Sequence, residues 1–210
     1  MPWHVYPDAE NLAQGCADFI ASAIAETLEH KPFCHVALPG GGTPARCLQL
    51  LAGKNLDWQH ILWLPADERT YPAGHADRND SMIRDNLCVL LPNGDDNLIE
   101  IPTELGTEQA AAVLNQKLKE IETLDIAFLG MGEDGHTASF FPDAAQLEAA
   151  LDPQSEALCL ALRPPAAPHD RMTLSLAAIL RSRQLYLHIA GERKFAVLER
   201  ALAGGDSREL

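Results

Sequence analysis

Apolar residues along the chain fall into two kinds of run that alternate. The alanine-rich stretch 8–28 carries Leu12, Cys16, Phe19, Ile20, Ala23 and Leu28 near helical spacing, which predicts an amphipathic helix capped by Asp8. Short apolar runs at 34–38 and 61–64 predict strands. A third, Ile126-Ala127-Phe128-Leu129 opened by Asp125, reads as a buried strand of a parallel sheet. Pro44 suits the first turn of a helix through 51. Asp80 is expected to cap a helix ending at 87, and 108–121 predicts another. Strands are expected at 157–162, 172–176 and 185–189, with a closing helix at 192–202. The polar stretch 70–80 reads as a long loop. Pro164, Pro165 and Pro168 make 163–170 an extended one.

Strands that alternate with helices imply right-handed crossovers. The predicted fold is therefore α/β: one doubly wound, mostly parallel sheet with helices on both faces, Rossmann-like. No internal repeat, low-complexity tract or shift in composition divides residues 1–210, so a single domain is expected. In such a sheet, ligands bind where strands end at their carboxyl edge. The segments just after the strands thus hold the candidate chemistry.

Composition narrows the partners. The 210 residues are 47% apolar, enough for a substantial core, and carry a formal net charge of −14. That acidity argues against nucleic acid as a partner and leaves room for a local basic pocket that takes a small anion. Cys16, Cys34, Cys47, Cys88 and Cys159 are scattered and never form a CxxC pair, so free thiols are expected rather than disulfides or a zinc site. No run is apolar enough to span a bilayer, and residues 1–7 lack the pattern of a signal peptide. A cytoplasmic protein is expected.

Three strand-end segments stand out. Gly40-Gly41-Gly42-Thr43-Pro44 lies between a strand and a helix. It reads either as a phosphate cradle of backbone N–H groups and a helix N-terminus, with Thr43 adding a hydroxyl, or as a tight turn. It matches neither the dinucleotide fingerprint nor a P-loop. Asp67-Glu68-Arg69 reads first as an ordinary ion pair on a solvated turn, and alternatively as a pair that orients a ligand. Asp134-Gly135-His136, flanked by Gly130 and Gly132, places an imidazole where chemistry is expected, with Asp134 able to fix its tautomer and Thr137 and Ser139 adding polar groups. The alternative is a histidine satisfied by local backbone. The histidines at 4, 30, 35, 60, 75, 169 and 188 have no comparable context and read as surface or structural. Arg171 and Lys194 are candidate anion ligands, or solvated charges.

As an ordered set, these segments resemble the 6-phosphogluconolactonase family and, more distantly, the glucosamine-6-phosphate isomerase/deaminase group that shares its fold. The matching pieces run from Leu38 to Pro44, Asp67 to Arg69, Leu129 to Pro142, Arg171 to Thr173 and Gly191 to Lys194. The resemblance implies hydrolysis of 6-phospho-D-glucono-1,5-lactone with no cofactor and no metal. It implies His136 as the catalytic histidine and Asp67 and Arg69 as the polar pair beside the reacting ring. Gly41, Gly42, Thr43, Arg171 and Lys194 fall at positions associated with the sugar phosphate. The deaminases carry Asn-Glu-Pro where this chain has Phe140-Phe141-Pro142, so position 141 lacks their carboxylate. Many relatives also carry Ser where Gly42 stands, which leaves more of the phosphate contact to Thr43.

The expected mechanism is general base catalysis. Neutral His136 takes a proton from water attacking C1, Arg69 or nearby N–H groups stabilise the oxyanion, and the imidazolium protonates the departing ring oxygen. Binding of the remote phosphate fixes the ring against the base. The rival readings are an amino-sugar-phosphate isomerase or deaminase, a non-catalytic sugar-phosphate sensor, and a plain nucleotide-binding domain.

Overall fold

The computed structural model describes residues 2–121, 123–165, 167 and 169–204. Four parallel strands form its centre: β1 (Cys34–Leu38), β2 (Ile61–Pro65), β4 (Ile126–Gly130) and β7 (Gln184–His188), in the order β2-β1-β4-β7. Strands β1, β2 and β4 are almost wholly buried, which explains why they read as largely apolar runs, whereas the edge strand β7 leaves Leu185 exposed. Cys34, Val36 and Leu38, with Ile126 and Phe128, point into one core, while Ala37, Ala127 and Leu129 point into the other. Asp125 anchors the middle pair. Its buried carboxylate accepts from the His35 N–H at 2.9 Å and from Lys31 Nζ at 2.6 Å. Burial pushes this carboxyl upward, but the bonds from His35 and Lys31 outweigh it and hold it below its ordinary value.

The first core is closed by α1 (Ala9–Leu28) and α2 (Ala45–Ala52). As expected, Asp8 caps α1, its side chain accepting the Asn11 N–H at 2.8 Å. Ala13, Ala17, Ile20 and Ile24 form the buried stripe of α1. The second core is closed by α4 (Thr107–Ile121) through Ala110, Leu114 and Leu118. This is the predicted parallel α/β arrangement with helices on both faces.

A second sheet goes beyond that prediction. Three antiparallel strands, β3 (Asp67–Arg69), β6 (Arg171–Leu174) and β5 (Cys159–Leu162), line up in the order β3-β6-β5. Ala66 joins the two sheets. Its N–H donates to the Leu38 carbonyl at 2.7 Å, and its carbonyl accepts from the Leu174 N–H at 2.9 Å. Chain leaving β2 thus changes partners within one residue, at the carboxyl edge of the parallel sheet.

Local differences from the expectation have identifiable causes. Residues 67–69 are a strand rather than a solvated turn, and Glu68 within it is fully buried. Asp80 does not cap α3 (Asn79–Asn86) but lies inside it, paired with Arg78. The capping groups are supplied from a distance: Glu68 Oε1 accepts the Asn79 N–H at 2.8 Å and Oε2 the Asp80 N–H at 2.9 Å. Strand β6 ends at Leu174, because Ser175 caps a short helix, α6 (Leu176–Leu180), by accepting the Ala178 N–H at 3.1 Å. A further short helix, α5 (Leu147–Leu151), and the closing α7 (Glu192–Leu202) complete the chain. Of the proline-bearing loop 163–170, residues 166 and 168 lie outside the described residues.

Candidate active site

One cleft of about 230 Å³ opens at the carboxyl edge of the parallel sheet. Gly41, Gly42, Thr43, Asp67, Arg69, His136 and Lys194 all line it, so segments as far apart in the chain as Gly41 and Lys194 converge on one space. Asp134 joins them through its bond to His136. The N-terminus of α2, at Pro44, opens onto the cleft, and Lys194 in the first turn of α7 lines it; neither helix has a side-chain cap at its N-terminus. Their free N–H groups favour an anion.

The loop after β4 is shaped around the imidazole. Gly132 donates its N–H to the His136 carbonyl at 2.8 Å, and Gly135 takes φ +93°, a conformation that suits glycine. Space also demands glycine at 132: a Cβ there would sit 2.3 Å from Asp134 Oδ1 and 2.5 Å from His136 Nδ1. His136 Nδ1 lies 2.6 Å from Asp134 Oδ1. A carboxylate only accepts, so Nδ1 is the donor in this contact, and in the neutral ring Nε2 is left as the acceptor. A further support is Phe141, whose ring stacks on the imidazole with centroids 4.2 Å apart. Ala138, also lining the cleft, has φ +48°, an uncommon conformation for a residue with a Cβ, costing about 1 kcal/mol or more.

Asp67 is fixed by two partners. Its Oδ1 accepts from Asn79 Nδ2 at 3.0 Å, and its Oδ2 accepts from Ser139 Oγ. Asn79 reaches it by crossing over Gly40, where a Cβ would meet the Asn79 amide oxygen at 1.9 Å. That amide oxygen is buried and has no partner among the described residues. Arg69 donates to the Asp77 carbonyl, which ties the 70–80 loop to the cleft wall. Arg78, 1% exposed, holds the same loop through the Tyr71 carbonyl and Thr103 Oγ1 while paired with Asp80.

Arg171 does not line the cleft. It lies directly across the antiparallel ladder from Arg69, 8% exposed, with its guanidinium 5.8 Å from the Phe141 ring. Burial and then the Arg69 charge push its pKa down, and one of its Nη atoms has no partner among the described residues. An anion reaching this pair would satisfy both.

The cleft lining also includes residues outside the expected set, among them Asn79, Ala138 and His188. His188, read from the sequence as surface or structural, ends β7 directly beside Gly130 of β4. Its position was legible in principle, since the carboxyl ends of adjacent parallel strands share an edge. Asn79 carries no such signal, because its role depends on a turn between non-adjacent segments.

A carboxylate-oriented imidazole, a glycine loop and a lysine at a helix N-terminus thus meet in one cleft of an α/β protein. The family model described as glucosamine-6-phosphate isomerases/6-phosphogluconolactonase matches residues 7–210, and the chain belongs to that family. It is 37% identical to the 6-phosphogluconolactonase of Neisseria meningitidis over 99% of this chain and 90% of that one. It is 34% identical to that of Pseudomonas aeruginosa, over 98% and 87%. The crystal structure of a 6-phosphogluconolactonase from Shewanella baltica superposes with a TM-score of 0.90 at 36% identity, covering 97% of this chain and 87% of that one.

Proposed function

We propose that this protein hydrolyses 6-phospho-D-glucono-1,5-lactone to 6-phosphogluconate, with His136 as the general base. The reading rests on one observation above all: His136, its Nδ1 held by Asp134, shares a cleft with Lys194 and the 40–44 loop. Family membership and relatives at 34–37% identity named 6-phosphogluconolactonase support it. The site residues belong to one α/β domain.

The phosphate is bound by Lys194, Thr43, the amides of Gly41 and Gly42 and the N-terminus of α7, with Arg171 supporting from behind Arg69. Anchored there, the lactone ring presents C1 to the imidazole. Nε2 of His136 takes a proton from the attacking water as the C1–O bond forms. The oxyanion is met by Arg69. Collapse breaks the bond from C1 to the ring oxygen, and the imidazolium returns its proton to that oxygen. Asp134 stabilises the imidazolium between the two transfers, and Asp67, with Ser139 and Asn79, keeps the β3 wall in place. General base catalysis of this kind contributes about 10²–10⁴-fold.

Phe141 favours lactone hydrolysis over amino-sugar deamination. Its ring fills the space against His136 where the sequence comparison expects the deaminases' carboxylate. Five cysteines present as thiols fit a reducing, cytoplasmic compartment, and among the described residues no helix is long and apolar enough to cross a membrane. The test is direct: opening of 6-phosphoglucono-1,5-lactone, corrected for spontaneous hydrolysis, against release of ammonia from glucosamine-6-phosphate. Lactone opening without ammonia release is the expected result; ammonia release without lactone opening refutes the reading.

A further inference from the structure

His188 combines three properties. It is 5% exposed, it lines the cleft, and neither ring nitrogen has a hydrogen-bond partner among the described residues. Leaving a buried donor and acceptor unmade costs about 1–3 kcal/mol each, so such a group in a native site points to a ligand that completes it. The ring is held in place by packing: it stacks on Phe128 with centroids 5.5 Å apart, and its backbone is paired with Gly130. Its electrostatic neighbour is Lys194, the lysine of the proposed phosphate clamp.

We propose that His188 is a phosphate-binding residue: as a neutral imidazole it donates one N–H to the substrate's phosphate beside Lys194, so that the clamp consists of one charged and one uncharged donor. This rests on the lactonase reading above and names a further member of its anion site. Chemistry supports an uncharged donor. Burial, and then the Lys194 ammonium, push the imidazole pKa down to about 4, so the ring is neutral at working pH and presents one donor and one acceptor. A neutral donor adds a directional bond without deepening the charge of the clamp, which leaves the product free to depart. It also separates phosphate, which offers acceptors in several directions, from a bare hydroxymethyl group at the same place.

The test compares wild type with His188→Leu and His188→Gln, each first shown by thermal unfolding to be folded at the assay temperature. Kinetics are measured on 6-phosphoglucono-1,5-lactone and on unphosphorylated glucono-1,5-lactone. Hydrogen bonds to charged groups set the scale: His188→Leu is expected to reduce the preference for the phosphorylated lactone by about tenfold or more, mainly through KM, and the amide of His188→Gln to recover part of it. An equal loss on both lactones, or an unchanged preference, overturns the proposal and leaves His188 a packing residue. A second readout needs no variant. Titration of the wild type with 6-phosphogluconate, with inorganic phosphate and with gluconate is followed through the imidazole nitrogen resonances of His188. The two phosphate-bearing ligands are expected to shift them and gluconate is not. Absence of a shift with phosphate, or an equal one with gluconate, refutes the role. Failure of the wild type to open either lactone refutes the functional reading instead, and the phosphate titration still decides on His188.

Discussion

The imidazole of His136 lies 4.2 Å over the ring of Phe141, 24° from parallel, and it approaches Gly132 so closely that a Cβ there would stand 2.5 Å from its Nδ1. The base is thus held by an aromatic plate and packed close to the bare backbone of Gly132, while Asp134 fixes its rotation. Such a group reacts from one orientation, which is what proton transfer to and from a bound ring requires.

Removing the plate tests that hold. Stacked rings contribute about 0.5–1.5 kcal/mol beyond buried area, so Phe141→Leu is expected to reduce kcat by roughly twofold to tenfold with a smaller change in KM. Steady-state kinetics on the phosphorylated lactone measure this. A rise in KM with kcat unchanged would make Phe141 a substrate contact instead.

Crowding the bare side should act in the same direction. In Gly132→Ala the new methyl falls 2.3 Å from Asp134 Oδ1, so the loop must move and the Asp134–His136 bond with it. A loss in kcat of tenfold or more is expected from the general-base contribution, with thermal stability little altered because the loop lies at the surface. Full activity in this variant would show that the imidazole tolerates displacement.

The tautomer has its own test. Asp134→Asn replaces an acceptor by a group that can also donate to Nδ1, which moves the proton to Nε2 and blocks the base. The expected loss in kcat is about tenfold to a hundredfold, less than for removing the imidazole, since Asp134 is half exposed and water can replace it. Equal kcat in the variant would remove Asp134 from the mechanism.

Stability against pH carries a signature of the buried site. The His188 imidazole, pushed down to about 4, binds fewer protons folded than unfolded between pH 4 and its ordinary 6.5, so its contribution is complete above about 6.5 and is lost as pH falls toward 4. Glu68 works in the opposite sense. Burial pushes its carboxyl up to about 7, so the folded state binds more protons than the unfolded one from its ordinary 4.5 upward, and stability falls as pH rises through that window. The two slopes oppose each other in the wild type. In His188→Gln only the Glu68 slope remains, and the stability difference between wild type and variant should grow by up to about 3 kcal/mol between pH 4 and 6.5. Thermal unfolding across pH 4–7.5 measures it; parallel curves would contradict the assignment.

Much of this site could be read from residue pattern, and the exceptions are informative. Strands β1, β2 and β4 are largely apolar because they are buried, so their apolar runs located them, and the carboxyl-edge rule then pointed to residues 40–44, 67–69 and 134–136. Strand β3 escaped that logic. Asp67-Glu68-Arg69 is as polar as a surface turn, and what makes it a strand is a ladder to β6 a hundred residues on, with the buried Glu68 carboxylate consumed in capping α3. Arg171 matched an anion-binding position by sequence, yet it stands behind Arg69 rather than on the cleft wall, because the antiparallel register sets the two arginines side by side. His188 looked ordinary for the converse reason: an apolar strand carries it, and only the order β4-β7 brings its end to the shared edge.

The central claim is that an imidazole at 136 and an anion clamp around Lys194 act on one bound lactone. Hydrolysis of 6-phosphoglucono-1,5-lactone by the wild type, His136→Ala and Lys194→Ala, corrected for spontaneous opening, tests it most directly. The account predicts a loss in kcat of about 10²–10⁴-fold for His136→Ala in a protein that still folds, and chiefly a raised KM for Lys194→Ala. Turnover at the wild-type rate without the imidazole, or an unchanged KM without the lysine, would contradict it.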